Sequence, residues 1–174
     1  MNPTARNISA SKSWTGLKAP WIGTKGVWGL LYQLGLLNNQ IAEQIHEMKP
    51  RDWTYKFSEQ VYMDIKSRST YITNLSKSTQ KDACKLTNSY FKKHLNLFYK
   101  EIKLINPKKI ISFGNQVSSV IMKRNIKVAN YRKKSLTLTI KEQIYEFYPV
   151  YYPVGQGIRN INKAKDDIKW IMQQ

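Results

Sequence analysis

The sequence contains a single cysteine, Cys84, and only two histidines, His46 and His94. One cysteine excludes an intramolecular disulfide, a cysteine-based zinc site and an iron–sulfur cluster. Two histidines are too few for a histidine-rich metal centre. The composition therefore predicts a function that requires no metal and no other cofactor.

Long apolar runs are lacking as well. No stretch of the sequence reaches the roughly 18 residues that a membrane-spanning helix requires. The amino terminus also lacks the apolar core of a signal peptide. These absences favour an intracellular, cytoplasmic protein that has no contact with a membrane, and we expect it to act as a monomer.

Acidic residues are scarce: the chain has 11 Asp and Glu against 29 Lys and Arg, which gives a net charge of +18. Between Ile102 and Lys141 there are ten basic residues and no acid. Such an excess predicts a polyanionic partner, with nucleic acid ahead of an anionic membrane surface. Few carboxylates remain to hold catalytic metal ions, so the composition argues against a nuclease. A basic structural protein is a weaker alternative.

A chain of 174 residues, 41% of them apolar, can form one domain with a substantial core, residues 1–174. Strand-like and helix-like patterns alternate, which favours a three-layer α/β/α sandwich. Ligands of such sheets bind beyond the carboxyl ends of the strands. The predicted helices cover residues 26–37, 40–48, 57–65, 79–105, 115–123 and 160–172, and the predicted strands cover 70–74, 109–114, 135–140 and 145–152.

Four stretches follow one another in a specific order: KAPWIGTKG (18–26), YITNLSKS (71–78), INPKKIISFGNQVSSVI (105–121) and VYYPVGQGIRNINKAKDDIKWI (150–171). In order and spacing the chain resembles the uracil-DNA glycosylase superfamily over nearly its whole length. The resemblance implies a small, mainly parallel sheet between helices. It also implies a DNA glycosylase that flips out and excises uracil or a modified pyrimidine, from single- or double-stranded DNA, and leaves an abasic site.

The first family motif is matched by MNPTARN, which contains Asn2 and Pro3. The resemblance implies that Asn2 places the attacking water and that Pro3 borders the base. A neutral amide can orient water without deprotonating it, which suffices if bond breaking precedes attack. The family has a strand before this motif that the sequence does not show. Either the sequence as numbered starts after this strand, or the strand has been lost. A chance Asn-Pro pair at a frayed terminus is the alternative.

Two further positions match residues that bind the base in the family. Trp21, or as second choice Trp14, corresponds to the aromatic residue that stacks on the flipped base, an interaction of roughly 1–3 kcal/mol. Asn74 corresponds to the asparagine at a strand end that reads the base edge through its donor and acceptor. A core tryptophan and a turn cap are the respective alternatives. Lys77 and its flanking serines are candidates for binding phosphate.

In the second family motif a histidine stabilises the departing base, whereas this chain has Tyr152 in the sequence YPVG. Tyr152 would either donate a hydrogen bond to the base or only fill space. The glycines Gly155 and Gly157 would let the loop enter a DNA groove. Gln156 or Ile158 would fill the gap left by the extruded base, and Arg159 would bind a phosphate.

Loss of the histidine costs about 10²–10³ in rate if it acts like other oxyanion donors. The resemblance therefore leaves two substrates open for an enzyme, and one function without catalysis. The base is uracil, or it is a modified pyrimidine in a roomier pocket, as in an antiphage relative that removes hypermodified bases from phage DNA. The third alternative is a catalytically inactive nucleic-acid-binding protein on the same fold.

Overall fold

The computed structural model describes residues 8–78 and 86–174. This part of the chain is a mixed α/β protein, mostly helical, with seven α-helices and one three-stranded sheet. It divides into two compact units, Met1–Lys85 and Leu86–Gln174, here called the amino-terminal and the carboxy-terminal unit. Among the described residues, none of the helices is long and apolar enough to cross a membrane.

The amino-terminal unit contains three α-helices within residues 8–78, and side-chain caps begin two of them. The Asn38 side chain accepts a hydrogen bond from the Gln40 amide at 2.8 Å, and Thr54 Oγ1 accepts one from the Phe57 amide at 3.1 Å. Each cap satisfies an amide that the first helical turn leaves without a partner. The helices are α1 (Gly26–Gln33), α2 (Asn39–Glu47) and α3 (Tyr55–Ser67).

Aromatic side chains form the core of this unit. Trp28 is fully buried and lies next to Trp53, with ring centroids 6.0 Å apart. The Tyr62 ring meets Trp28 edge-on at 5.7 Å, and its hydroxyl donates a hydrogen bond to the Pro20 carbonyl. This cluster ties the loop before α1 to helix α3.

The strand predicted at residues 70–74 is wrong, because residues 70–78 have no regular secondary structure. Its β-branched residues suggested a strand, but a strand also needs a partner, and the described part of this unit contains none. The Thr70 amide donates instead to the carbonyl of Ile65 at the end of α3, at 3.2 Å. Asn74 consequently does not end a strand.

The carboxy-terminal unit contains the sheet. In the order β1-β3-β2, strand β1 pairs with β3 in parallel, and β2 pairs with β3 in antiparallel orientation. The three strands agree with the predicted ones to within two residues at each end. The elements of this unit are α4 (Asn88–Lys93), α5 (Leu95–Ile105), β1 (Lys109–Phe113), α6 (Asn115–Met122), β2 (Leu136–Ile140), β3 (Gln143–Val150) and α7 (Ile161–Met172).

Helices cover both faces of this sheet. Ser112 of β1 hydrogen-bonds Ser118 of α6 at 2.7 Å, whereas Tyr148 of β3 packs edge-on against Trp170 of α7 at 6.3 Å. Ser112 is aligned with Pro149, so these two residues share one face of the sheet. Side chains alternate along a strand, so Tyr148, next to Pro149, lies on the face opposite to Ser112. Pro149 itself lies beyond the last pair to β2, where a residue without an amide proton is tolerated.

The long helix predicted at residues 79–105 is only partly confirmed. Residues 79–85 lie outside the described part of the chain, and the remainder forms two helices that meet at His94. The second of them, α5, ends at Ile105, and the capping residue Asn106 has a left-handed backbone (φ 48°) that turns the chain into Pro107. Asparagine tolerates this conformation better than most residues.

Candidate nucleic-acid-binding residues

Trp21 has a left-handed backbone with φ 63°. A bulky residue in this conformation is a genuine outlier that costs about 1–2 kcal/mol. Its carbonyl oxygen accepts three hydrogen bonds, from the Thr24 amide at 3.0 Å, from Thr24 Oγ1 at 2.7 Å and from Trp28 Nε1 at 3.1 Å. These three donors hold the peptide in an orientation that the residue itself disfavours.

The Trp21 ring is half-buried and rests on the edge of the fully buried Trp28 ring, at 6.4 Å and nearly perpendicular. The second candidate, Trp14, is only 8% exposed, and its Nε1 donates to the Leu17 carbonyl at 2.9 Å. Trp14 is therefore a core residue. Of the two candidates, Trp21 is the one that is not fully packed into the core, and its position is fixed.

The segment around Asn74 is held by its neighbours. Leu75 and Ser76 are buried, and Asn74 and Lys77 are half-buried. The Lys77 ammonium donates to Thr73 Oγ1 at 2.5 Å, so part of its hydrogen-bonding capacity is used within this segment. The predicted residues Asn2 and Pro3 lie outside the described residues.

In the carboxy-terminal unit, Tyr152 follows β3 and contacts two glycines. A β-carbon built on Gly157 would lie 2.0 Å from the Tyr152 carbonyl oxygen, and one built on Gly114 would lie 3.5 Å from the Tyr152 β-carbon. Gly114 directly follows β1 and has φ 89°. The ends of the two parallel strands therefore meet around Tyr152.

The remaining predicted residues of the second motif form one short element. Gly155, Gln156, Gly157 and Arg159 belong to a 3₁₀ helix, Gly155–Asn160, that leads directly into α7. Gly155 has φ 58°, a value that favours glycine, and both Gly155 and Arg159 are exposed. The Arg159 guanidinium is thus accessible to an anion.

Cations are concentrated in the carboxy-terminal unit, which has 17 Lys and Arg against 5 Asp and Glu, a net charge of +12 out of +18. The Lys163 ammonium lies 5.4 Å from the centre of the Tyr151 ring, one residue from Tyr152. Arg132 Nε donates to both carboxylate oxygens of Asp167 at 3.0 Å, and this hydrogen bonding raises the pKa of Arg132. One of the few acids is therefore neutralised internally.

The predicted site residues fall into two groups, one in each unit. Trp21, Asn74 and Lys77 belong to the amino-terminal unit, and the second motif with Tyr152 belongs to the carboxy-terminal unit. Gly114 was not singled out as a contact of Tyr152. A glycine as the last residue of the predicted strand 109–114 was the signal that could have identified it.

The described residues contain no cluster of three or more His, Cys, Asp or Glu that could hold a metal ion. Comparison with models of known protein families and with curated protein sequences finds no match to this chain. The assignment of a function therefore depends on the chemistry of its own residues and on the motif resemblance.

Proposed function

We propose that the protein is a monofunctional DNA glycosylase with the three-layer fold of the uracil-DNA glycosylase superfamily, acting inside the cell in repair or in defence against phage. The observation that carries the proposal is the left-handed backbone of Trp21, at the position where the motif resemblance implies a base-stacking residue. Strained residues held by their surroundings cluster at sites that bind ligands. Three hydrogen bonds to one carbonyl maintain this strain.

In the proposed reaction the flipped pyrimidine stacks on Trp21 while the Asn74 amide pairs with its edge. The bond between C1′ and the base nitrogen breaks, and the base leaves as an anion. Water held by Asn2 then adds to the C1′ cation and releases one proton, which balances the proton that the base anion takes up. Because the sugar cation forms before attack, no strong base is required.

The net charge of +18 supports DNA as the partner. Exposed cations such as Arg159 would neutralise phosphates and release counterions, which gives binding a steep salt dependence. Extrusion of the base costs a few kcal/mol in a duplex and less in a single strand. The exposed Gly155 carries no side chain that would hinder the approach of its backbone to the DNA.

The proposal is tested with oligonucleotides that carry uracil or one of a panel of modified cytosines, single- and double-stranded, followed by alkali. Strand scission that appears only after alkali is the expected result. Asn74→Ala and Asn2→Ala should abolish this scission, and Trp21→Ala should slow it about 5- to 150-fold, because stacking on a base is worth roughly 1–3 kcal/mol. Tyr32→Ala, which removes an aromatic side chain that is 43% exposed on α1, is the matched control and should retain it. Scission without alkali that depends on magnesium would identify a nuclease instead.

A second candidate is a nucleic-acid-binding protein that lacks the chemistry. Two observations favour it: Tyr152 stands where the family has a histidine, and Asn74 lies in an irregular segment rather than at a strand end. The two candidates differ in one measurement. The binding protein would retain the oligonucleotides of the whole panel but generate no alkali-labile site in any of them.

A further inference from the structure

Residues 123–134, which join α6 to β2, are the most basic part of the chain and are called here the basic connection. Six of its twelve residues are basic and none is acidic. Basic runs of this kind are often mobile loops that only aid solubility. The basic residues are Lys123, Arg124, Lys127, Arg132, Lys133 and Lys134.

The middle of the basic connection is fixed to helix α6. Ile126 and Val128 are fully buried. Their amides donate to side chains of α6, the Ile126 amide to Ser119 Oγ at 2.9 Å and the Val128 amide to Asn115 Oδ1 at 2.9 Å. Two apolar anchors and two side-chain acceptors therefore hold this backbone in place.

The end of the connection is fixed to helix α7. Arg132 hydrogen-bonds both oxygens of Asp167, whose side chain is only 1% exposed. Arg132 is consequently a structural cation. The other five basic side chains are exposed, and none of them forms an ion pair with a carboxylate in the part of the chain that the structure describes.

We propose that the basic connection is a preformed track for the phosphate backbone of nucleic acid. Lysine ammonium groups bind phosphates as point charges and carry no sequence information, so the track would bind any sequence. Because its backbone is already held at three places, little loop ordering has to accompany binding. The inference rests on the nucleic-acid partner of the proposed function, and it does not depend on base excision.

The test compares two variants of equal charge by fluorescence anisotropy on an undamaged 20-base-pair duplex between 50 and 300 mM KCl. The track variant carries Lys127→Gln, Lys133→Gln and Lys134→Gln. The control carries Lys100→Gln, Lys103→Gln and Lys108→Gln, which removes three exposed lysines on and after α5 of the same unit. Thermal unfolding of both variants confirms that they fold like the wild type.

Loss of three phosphate contacts should flatten the plot of log K against log salt concentration by about 2.7 units for the track variant. Its affinity near 0.1 M salt should fall on the order of 100-fold. The control should keep a slope within about one unit of the wild type. Equal effects of the two variants would show that only net charge matters, and would overturn the inference.

Two other outcomes are also decisive. If the track variant binds duplex DNA like the wild type but loses binding to vesicles containing phosphatidylserine, the basic connection serves a membrane surface and the inference is wrong. Excision by the track variant with unchanged DNA affinity would contradict the inference and leave the proposed enzyme intact. Salt-dependent binding through the track without excision of any tested base would support the inference and contradict the proposed enzyme.

Discussion

The backbone of Gly157 packs directly on the carbonyl group of Tyr152: a β-carbon at position 157 would lie 2.0 Å from the carbonyl oxygen and 2.9 Å from the carbonyl carbon. No real side chain tolerates such distances, so only glycine fits. The Gly157 amide also donates to the Val154 carbonyl at 3.0 Å. This close approach lets the chain turn from β3 into α7 within a few residues.

Gly157→Ala should therefore destabilise the protein by about 1–3 kcal/mol, because the new methyl group must displace backbone atoms. Gly29→Ala is the matched control, since a β-carbon at position 29 meets no atom within 4 Å and the residue lies inside α1. Alanine should stabilise that helix by about 0.5–1 kcal/mol. Urea denaturation measures both effects, and the same sign for both variants would contradict the packing described for Gly157.

The strain at Trp21 can be measured with a pair of substitutions. Trp21→Ala and Trp21→Gly both remove the ring and its contact with Trp28, but only glycine adopts φ 63° without cost. We expect the glycine variant to be more stable than the alanine variant by about 1 kcal/mol. This is the reverse of the usual order of the two residues. An alanine variant of equal or greater stability would mean that the peptide relaxes out of the left-handed conformation.

Local sequence signals predicted most elements of the fold. The Asn38 cap, the alternation in β2 and the apolar face of α7 each depend on a few neighbouring residues, and the structure confirms all three elements. The strand at 70–74 was wrong because strand formation depends on a partner elsewhere in the chain. The Asn115 side chain, at the start of α6, accepts a hydrogen bond from the Val128 amide, a partner thirteen residues away that no local signal identifies.

The candidate residues also divide into those that neighbouring residues predict and those that depend on a distant partner. A glycine-rich stretch after a strand is visible in the sequence, and the structure places Gly155 and Gly157 in a short helix next to Tyr152. The pairing of Arg132 with Asp167 joins residues 35 positions apart. Helical spacing places Asp167, three residues after Ala164 and four before Ile171, on the apolar face of α7, but it does not identify Arg132 as its partner. Pairs of residues so far apart in the chain are identified only by the folded structure.

The Arg132–Asp167 pair makes a prediction about stability. Asp167 is almost fully buried, so Arg132→Gln would leave a buried carboxylate without its counter-charge. Removal of one partner of a buried pair typically costs about 3–5 kcal/mol, and the half-exposed arginine places this case near 3. The double variant Arg132→Gln, Asp167→Asn should be less destabilised than the sum of the single variants. A double-mutant cycle by urea denaturation measures this difference, and strict additivity would show that the two residues do not interact.

Tyr62 predicts how stability changes at high pH. Burial, with a smaller contribution from Tyr71, raises the pKa of Tyr62 above its ordinary value. Since the unfolded phenol ionises near pH 10, the stabilisation that this shift provides is complete below that pH. It is lost as the pH rises from about 10 toward the folded pKa, because the unfolded state then releases the proton more readily. The free energy of unfolding should fall over this range.

Tyr62→Phe tests the origin of that fall. The variant lacks the hydrogen bond to the Pro20 carbonyl and should be less stable at pH 7 by about 1 kcal/mol. It cannot ionise at this position, so its stability should decrease less steeply above pH 10 and the difference from the wild type should narrow. Burial also raises the pKa values of Tyr99 and Tyr148, so these two phenols contribute a slope of the same sign in both proteins. Parallel curves for the two proteins, measured by urea denaturation from pH 7 to 11, would show that the Tyr62 phenol ionises equally readily in the folded and unfolded chains.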